Sequence, residues 1–214
     1  MVKKISKTTY ISAFSLATLI FLAGFFLSQA FADYRLGLLE KTQENLRTQL
    51  LGIDLQTKLL EENICDLSWE SIWGDKVIIG KEIAKLEEKL GKEDNFVLRQ
   101  KEFYQLIEIR TLLLLKEIKE KCDQDLNIIL FFYTNKKNDD KGDYKLSEDQ
   151  GYILNNLYKK YPDKLAILSF DINTDNPALN TLKELYNING TPTLIINDNI
   201  YAKFMGLKEI EDLI

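Results

Sequence analysis

The chain has 214 residues, of which 45% are hydrophobic and 29% charged, a balance typical of a folded protein. It has a formal net charge of -5, no histidine and two cysteines, too few for a zinc site built from cysteine alone. This composition excludes histidine-dependent catalytic centres and histidine zinc sites, and we predict no metal ion and no cofactor. Nucleic acid, which binds basic surfaces, is not an expected partner.

The first predicted element is an apolar helix over residues 10–32, which contain no charged residue. About 20 apolar residues in a helix span the hydrocarbon core of a bilayer. Lysines precede this segment, so the positive-inside rule predicts residues 1–9 in the cytoplasm and everything after the helix outside the plasma membrane. The alternative is a cleaved signal peptide, because Ala30-Phe31-Ala32 fits a small-x-small cleavage site.

Residues 33–123 contain no proline and no strand pattern, and they are predicted to form an all-α stalk of three helices. Apolar residues of the first helix recur at alternating three- and four-residue steps, the heptad pattern of a coiled coil. They are Leu36, Leu39, Leu46, Leu50, Ile53, Leu60 and Ile64, with the polar Gln43 and Thr57 in two further positions of the series. The second helix is predicted to begin near Leu67, to be loosened by Gly74 and Gly80 and to end at Gly91. Short connections between the helices predict an antiparallel, up-down-up path.

The two cysteines, Cys65 and Cys122, are predicted at the outer ends of the first and third helices, at the same level of the stalk. A compartment outside the cytoplasm permits disulfides, so we predict a structural bridge between them. The alternatives are two separate buried thiols and a reactive redox pair. Reactive pairs usually lie at helix N-termini, where the dipole lowers the thiol pKa, whereas these cysteines fall near C-terminal ends.

Residues 124–214 are predicted to form an α/β domain in the order strand, helix, strand, helix, strand, strand, helix. The apolar runs Leu126–Tyr133 and Lys164–Phe170 are typical of strands buried on both faces. The first helix is predicted over Ser147–Tyr161 and the second from Pro177. The remaining predicted elements are strands over Thr193–Ile196 and Ile200–Phe204 and a last helix over Lys208–Ile214.

This element order, with Thr191-Pro192-Thr193 opening the third strand, resembles the thioredoxin fold along residues 124–214. The resemblance implies a cis Thr191–Pro192 bond beside a peptide-binding groove; the alternative is an ordinary trans proline. Thioredoxins react through a Cys-x-x-Cys pair, and the matching positions here are Tyr144 and Ser147. The domain therefore resembles a thioredoxin without its redox centre, and Ser147 is predicted to cap its helix.

From the resemblance we predict a membrane-anchored, redox-inactive thioredoxin-like module that binds an envelope protein or an extended peptide. No catalytic residue is predicted, and the bilayer is a further partner through residues 10–32. The predicted binding residues are Tyr133, Tyr144, Ser147, Thr191 and Pro192. The alternatives are a thiol–disulfide oxidoreductase that uses Cys65 and Cys122, and a structural spacer whose stalk self-associates into a homo-oligomer.

Overall fold

The computed structural model describes residues 7–59, 64–66, 69–122 and 124–214. Within α1, and at the start of α2, some side chains lie outside that description. The contacts divide the chain into two compact units, Met1–Glu44 and Asn45–Ile214.

Helix α1 runs over Lys7–Leu59, and its segment Lys7–Gly37 is long and apolar enough to cross a membrane. All its side chains in this segment are exposed, including Phe14 and Leu27. A membrane span and a signal sequence both have this length and composition. The coiled coil stays a prediction, because most side chains of the seam lie outside the described residues: Leu39, Gln43, Leu46, Leu50, Ile53, Thr57 and Leu60.

A helical region follows, with a 3-10 helix at Ile64–Asp66, α2 at Trp69–Leu90 and α3 at Asn95–Cys122. The description of α1 ends at Leu59, and Ile64 lies in the 3-10 helix. The residues between them lie outside the described ranges, so the continuity of the first helix to Ile64 stays a prediction. Gly91 follows α2 with φ at 93°, a conformation that glycine adopts without steric cost, as the predicted helix stop requires.

The C-terminal part is a four-stranded mixed sheet with helices on both faces. The elements are β1 (Asn127–Tyr133), α4 (Tyr144–Lys160), β2 (Leu165–Asp171), α5 (Pro177–Leu185), β3 (Thr193–Ile196), β4 (Asn199–Tyr201) and α6 (Leu207–Glu211). The element order predicted from the sequence is confirmed. The strand order in the sheet is β2-β1-β3-β4, with β1 parallel to β2 and antiparallel to β3, and β3 antiparallel to β4.

The two faces of the sheet bury two hydrophobic clusters, because side chains alternate along each strand. Ile128, Leu130 and Phe132 of β1 pack in one cluster with residues of α3 and α5. Ile129 and Phe131 pack in the other with residues of α4 and α6. Helix α3, which the sequence analysis assigns to the stalk, thus shares a core with the sheet and lies in the same compact unit.

The predicted bridge between Cys65 and Cys122 is confirmed. The two residues form a disulfide with their Cα atoms 5.3 Å apart, a separation typical of such bonds. Cys122 is the last residue of α3, as predicted, whereas Cys65 lies in the 3-10 helix and not in α1. Both cysteines of the chain are therefore oxidised, and neither is a free thiol.

The start of α4 differs from its prediction. The helix begins at Tyr144, and the Asp143 carboxylate caps it by accepting a hydrogen bond of 2.9 Å from the backbone N–H of Leu146. The prediction that Ser147 is the cap is wrong: this serine is buried inside the first turn. Its Oγ instead accepts a hydrogen bond of 3.4 Å from the backbone N–H of Thr134, which follows β1.

Candidate functional site

An open cleft of about 820 Å³ lies between α2 and α4. Its floor is the sheet, where the rings of Phe131 and Tyr133 stack with centroids 5.3 Å apart. Its walls are formed by successive turns of two helices, with Lys81, Ala84 and Lys85 from α2 and Tyr144, Gly151 and Tyr152 from α4. The volume falls within the range of ligand-binding clefts.

A second cavity of about 310 Å³ continues the cleft toward the start of α2. The two cavities share Phe131, Gly151 and Ser169, so they form one continuous groove, here called the α2–α4 groove. At its far end the indole N–H of Trp73 donates a hydrogen bond of 3.1 Å to the Tyr158 hydroxyl.

Small residues line both walls of the groove, with Ala84 on α2 and Gly151 on α4. A Cβ added at Gly151 would meet only the ring of Phe131, at 3.8 Å, which is ordinary van der Waals contact. The Phe131 ring beneath Gly151 is itself only 5% exposed, so it forms the packed base of the groove.

The outer edge of β2, which borders the groove, is closed by a buried ion pair. Lys76 Nζ donates a hydrogen bond of 2.8 Å to the carbonyl of Ile167, and both oxygens of Glu108 accept from the N–H of Ser169 at 3.1 Å. Lys76 and Glu108 are themselves 2.8 Å apart, with side chains 6% and 0% exposed. These side chains satisfy the backbone groups to which an added strand would bind.

Burial raises the pKa of Glu108, and the favourable contacts with Lys76 and Ser169 oppose that rise without cancelling it. The carboxylate is held as a hydrogen-bond acceptor between α3 and β2, so its role in the unit is to join these elements.

A second buried cation lies behind the other end of the groove. Lys101 Nζ is 3.1 Å from Asp171 and 3.2 Å from Glu87, and it stands 5.5 Å from the ring centre of Tyr133. Burial acts to lower the pKa of Lys101, but Tyr133, Asp171 and Glu87 outweigh it and raise the pKa overall. Burial also raises the pKa of the Tyr133 phenol, which therefore stays neutral.

The structure brings three of the five predicted binding residues together, because Tyr133, Tyr144 and Ser147 all line the groove. Ser147 contributes little polar surface there, since it is 2% exposed and its Oγ accepts from Thr134. Its side chain is thus part of the packing beneath the groove.

Thr191 and Pro192 do not line the α2–α4 groove. The Thr191–Pro192 bond is cis, as the resemblance implies, and Pro192 is buried. The backbone N–H of Thr191 donates to the carbonyl of Lys141 at 3.0 Å, and its carbonyl accepts from Asp143 at 3.1 Å. The loop before α4 therefore occupies both backbone groups that a peptide at this position would need.

The α2 wall of the groove is not apparent from the sequence. Lys81, Ala84 and Lys85 are exposed residues on one helix face, a pattern that in the sequence is typical of a solvent-facing surface. Only the position of α2 beside α4 gives them a common site. Gly151 within a predicted helix was the one local signal, because an interior glycine often marks a close approach or an opening.

The groove is lined by aromatic, charged and amide side chains. Neither cysteine lines it, and across residues 7–59, 64–66, 69–122 and 124–214 no group of three or more acidic or cysteine side chains is arranged to hold a metal ion. Comparison of the chain with models of known protein families, with curated proteins and with solved structures finds no match.

Proposed function

We propose that the chain is a membrane-anchored binding module that holds a segment of another polypeptide in the α2–α4 groove. The observation that carries this proposal is the cleft of about 820 Å³ between two helix walls, with the half-buried ring of Tyr133 in its floor. Clefts of this size, lined by aromatic side chains and a few polar groups, are typical of recognition sites.

We propose that residues 124–214 form a thioredoxin-like domain without the family's cysteine pair. The order of the strands, β2-β1-β3-β4, and the cis bond before Pro192 support this assignment. The positions that match the cysteine pair, Tyr144 and Ser147, lie in the first turn of α4. Tyrosine and buried serine cannot exchange disulfides, so the proposed activity is binding and not redox catalysis.

The proposal also places the groove outside the cytoplasm. The apolar segment Lys7–Gly37 would hold the chain in the plasma membrane, and the lysines before it would keep the N-terminus inside. The Cys65–Cys122 disulfide supports this placement, because such bonds persist in oxidising compartments.

Site-specific photo-crosslinking tests the proposal. Tyr152 stands on the rim of the groove and is 62% exposed, so p-benzoylphenylalanine in its place should not disturb the fold. The full chain carrying this residue is irradiated in the membranes of the cells that produce it. We expect a discrete adduct with a second polypeptide, identified by mass spectrometry of the joined peptides.

Leu185 is the matched control, since it is 73% exposed at the end of α5 and does not line the groove. The same photoreactive residue at position 185 should give no such adduct. Equal adducts at the two positions, or none at position 152, would contradict the proposed site.

A further inference from the structure

We infer that the Cys65–Cys122 disulfide is exchangeable, and that a dithiol protein opens it by attacking the sulfur of Cys65. The chain is the substrate in this exchange, and its partner is a thiol–disulfide oxidoreductase. The exchange site lies outside the α2–α4 groove, since neither cysteine lines that groove. The exchange is therefore independent of the proposed function.

The two ends of the bridge differ in their exposure to solvent. Cys65 lies in the 3-10 helix and is exposed, whereas Cys122, the last residue of α3, is half-buried. The rate of exchange depends on which sulfur an attacking thiolate can reach, so access favours attack on Cys65 with Cys122 as the leaving group. Exposed disulfides are also more readily reduced than buried structural ones.

The chain offers these two sulfurs no other partner of their own kind. It contains two cysteines, and both are in the bridge. Rearrangement to a different internal pairing is therefore excluded. A thiol released from the bridge can either re-form the same bond or exchange with a sulfur of a second molecule.

A buried neighbour holds the two cysteines together when the bond is open. Ile64, the residue before Cys65, is 4% exposed and packs in the hydrophobic cluster that contains Leu115 and Ile118 of α3. Cys122 packs against the same cluster. Opening the bond removes none of these apolar contacts, so the two thiols stay at a high effective concentration and the exchange is reversible.

The exchange takes place in two steps. A thiolate of the partner attacks Sγ of Cys65, an intermolecular S–S bond forms, and the bond to Cys122 breaks with its electron pair on Cys122 Sγ, which takes a proton from water. The second thiolate of the partner then attacks the partner's own sulfur in the mixed disulfide and releases Cys65, which also takes a proton. The partner ends as a disulfide, and the chain ends as a dithiol that has gained two electrons and two protons.

Trapping of the mixed disulfide tests the inference. The full chain in phosphatidylcholine nanodiscs is mixed with a thioredoxin whose second active-site cysteine is replaced by serine, so that the reaction stops after the first step. Free thiols are then blocked with iodoacetamide, and the joined peptides are identified by mass spectrometry. We expect an adduct that joins the thioredoxin to Cys65, with Cys122 alkylated.

Two results would overturn the inference. One is an adduct on Cys122 with Cys65 alkylated, because the attack would then be on the less exposed sulfur. The other is no adduct with the folded chain although the same mixture forms one in urea, because the folded protein would then protect the bond.

A variant tests the role of Ile64. The equilibrium between disulfide and dithiol is measured in buffers of reduced and oxidised glutathione. Ile64→Ala should lower the effective concentration of the two thiols about tenfold. The matched control is Ile210→Ala, the same change at a buried residue in the cluster on the other face of the sheet, which should leave it unchanged. Equal shifts in the two variants would overturn the reversible closure by Ile64.

Discussion

At the scale of single residues, the Lys76–Glu108 pair forms the hydrogen bonds with the backbone of β2 that a neighbouring strand would otherwise form. Both charges are buried, and each is bonded to the backbone of β2 as well as to the other. Removing one partner of such a pair leaves a buried charge without compensation, which typically costs about 3–5 kcal/mol.

Glu108→Ala should therefore lower the free energy of unfolding of the unit by about 3–5 kcal/mol, measured by chemical denaturation. The double variant Lys76→Met with Glu108→Leu should be less destabilised than Glu108→Ala, because it contains no uncompensated charge. Asp125→Asn, which breaks the exposed contact with Lys164, is the control and should change little. A double variant less stable than Glu108→Ala would contradict this account.

The buried Lys101 predicts how stability depends on alkaline pH. Its folded-state pKa is raised, so an unfolded chain releases this proton first, and rising pH then favours unfolding. The contribution of the Lys101 charge to the free energy of unfolding is complete below the unfolded-state pKa of about 10.4. It is lost as pH rises through the pKa of Lys101 in the folded state. Unfolding free energies measured from neutral to alkaline pH should fall more steeply for the native chain than for Lys101→Met. If the unfolding free energies of the native chain and of Lys101→Met fall in parallel with pH, Lys101 is not the source of this pH dependence.

At the scale of elements, the disulfide joins the segment after α1 to the end of α3. It closes a separation of 57 residues, and removing a bridge over a loop of this kind typically costs about 2–4 kcal/mol. Because α3 also packs on the sheet, Cys65→Ser should destabilise the helices and the sheet together. Circular dichroism and tryptophan fluorescence should then report one shifted transition, since Trp73 lies in the shared core.

Cys122→Ser is the companion variant and should give the same shift, because either change removes the same covalent bond. Two separate transitions in these variants would instead indicate that the helical region and the sheet unfold independently.

The strands and helices of the C-terminal part could be predicted from local pattern. Continuous apolar runs such as Leu126–Tyr133 occur where strands are buried on both faces. The first residue of α4 was harder to predict, since Asp143 and Ser147 are both good capping residues. The choice between them depends on Thr134, which packs against Ser147 only after the chain has folded.

The packing of α2 and α3 against the sheet could not be predicted from their sequences. Polar residues such as Lys76, Lys101 and Glu108 are typical of a solvent-facing helix side, yet all three are buried in mutual contacts with β2 or its end. Long-range pairing of this kind leaves no periodic signal. For the same reason the sequence did not predict the α2 wall of the groove.

At the scale of the whole molecule, the account expects the unit that contains the groove to lie outside the cytoplasm. Protease added to intact cells should digest residues beyond the apolar segment and spare a short N-terminal fragment. Protection of the C-terminal part until the cells are opened would contradict the topology. If the segment is instead cleaved as a signal, intact mass will show a chain that begins just after Ala32.

The most direct test of the central claim, that the α2–α4 groove is the binding site, is to fill it without unfolding the protein. Gly151→Phe places a ring over Phe131, where the structure leaves room for a Cβ, and glycine replacement inside a helix does not strain the backbone. In the full chain with the photoreactive residue at position 152, Gly151→Phe should retain its thermal unfolding midpoint and lose the crosslinked adduct. An undiminished adduct in a stably folded Gly151→Phe chain would contradict the claim.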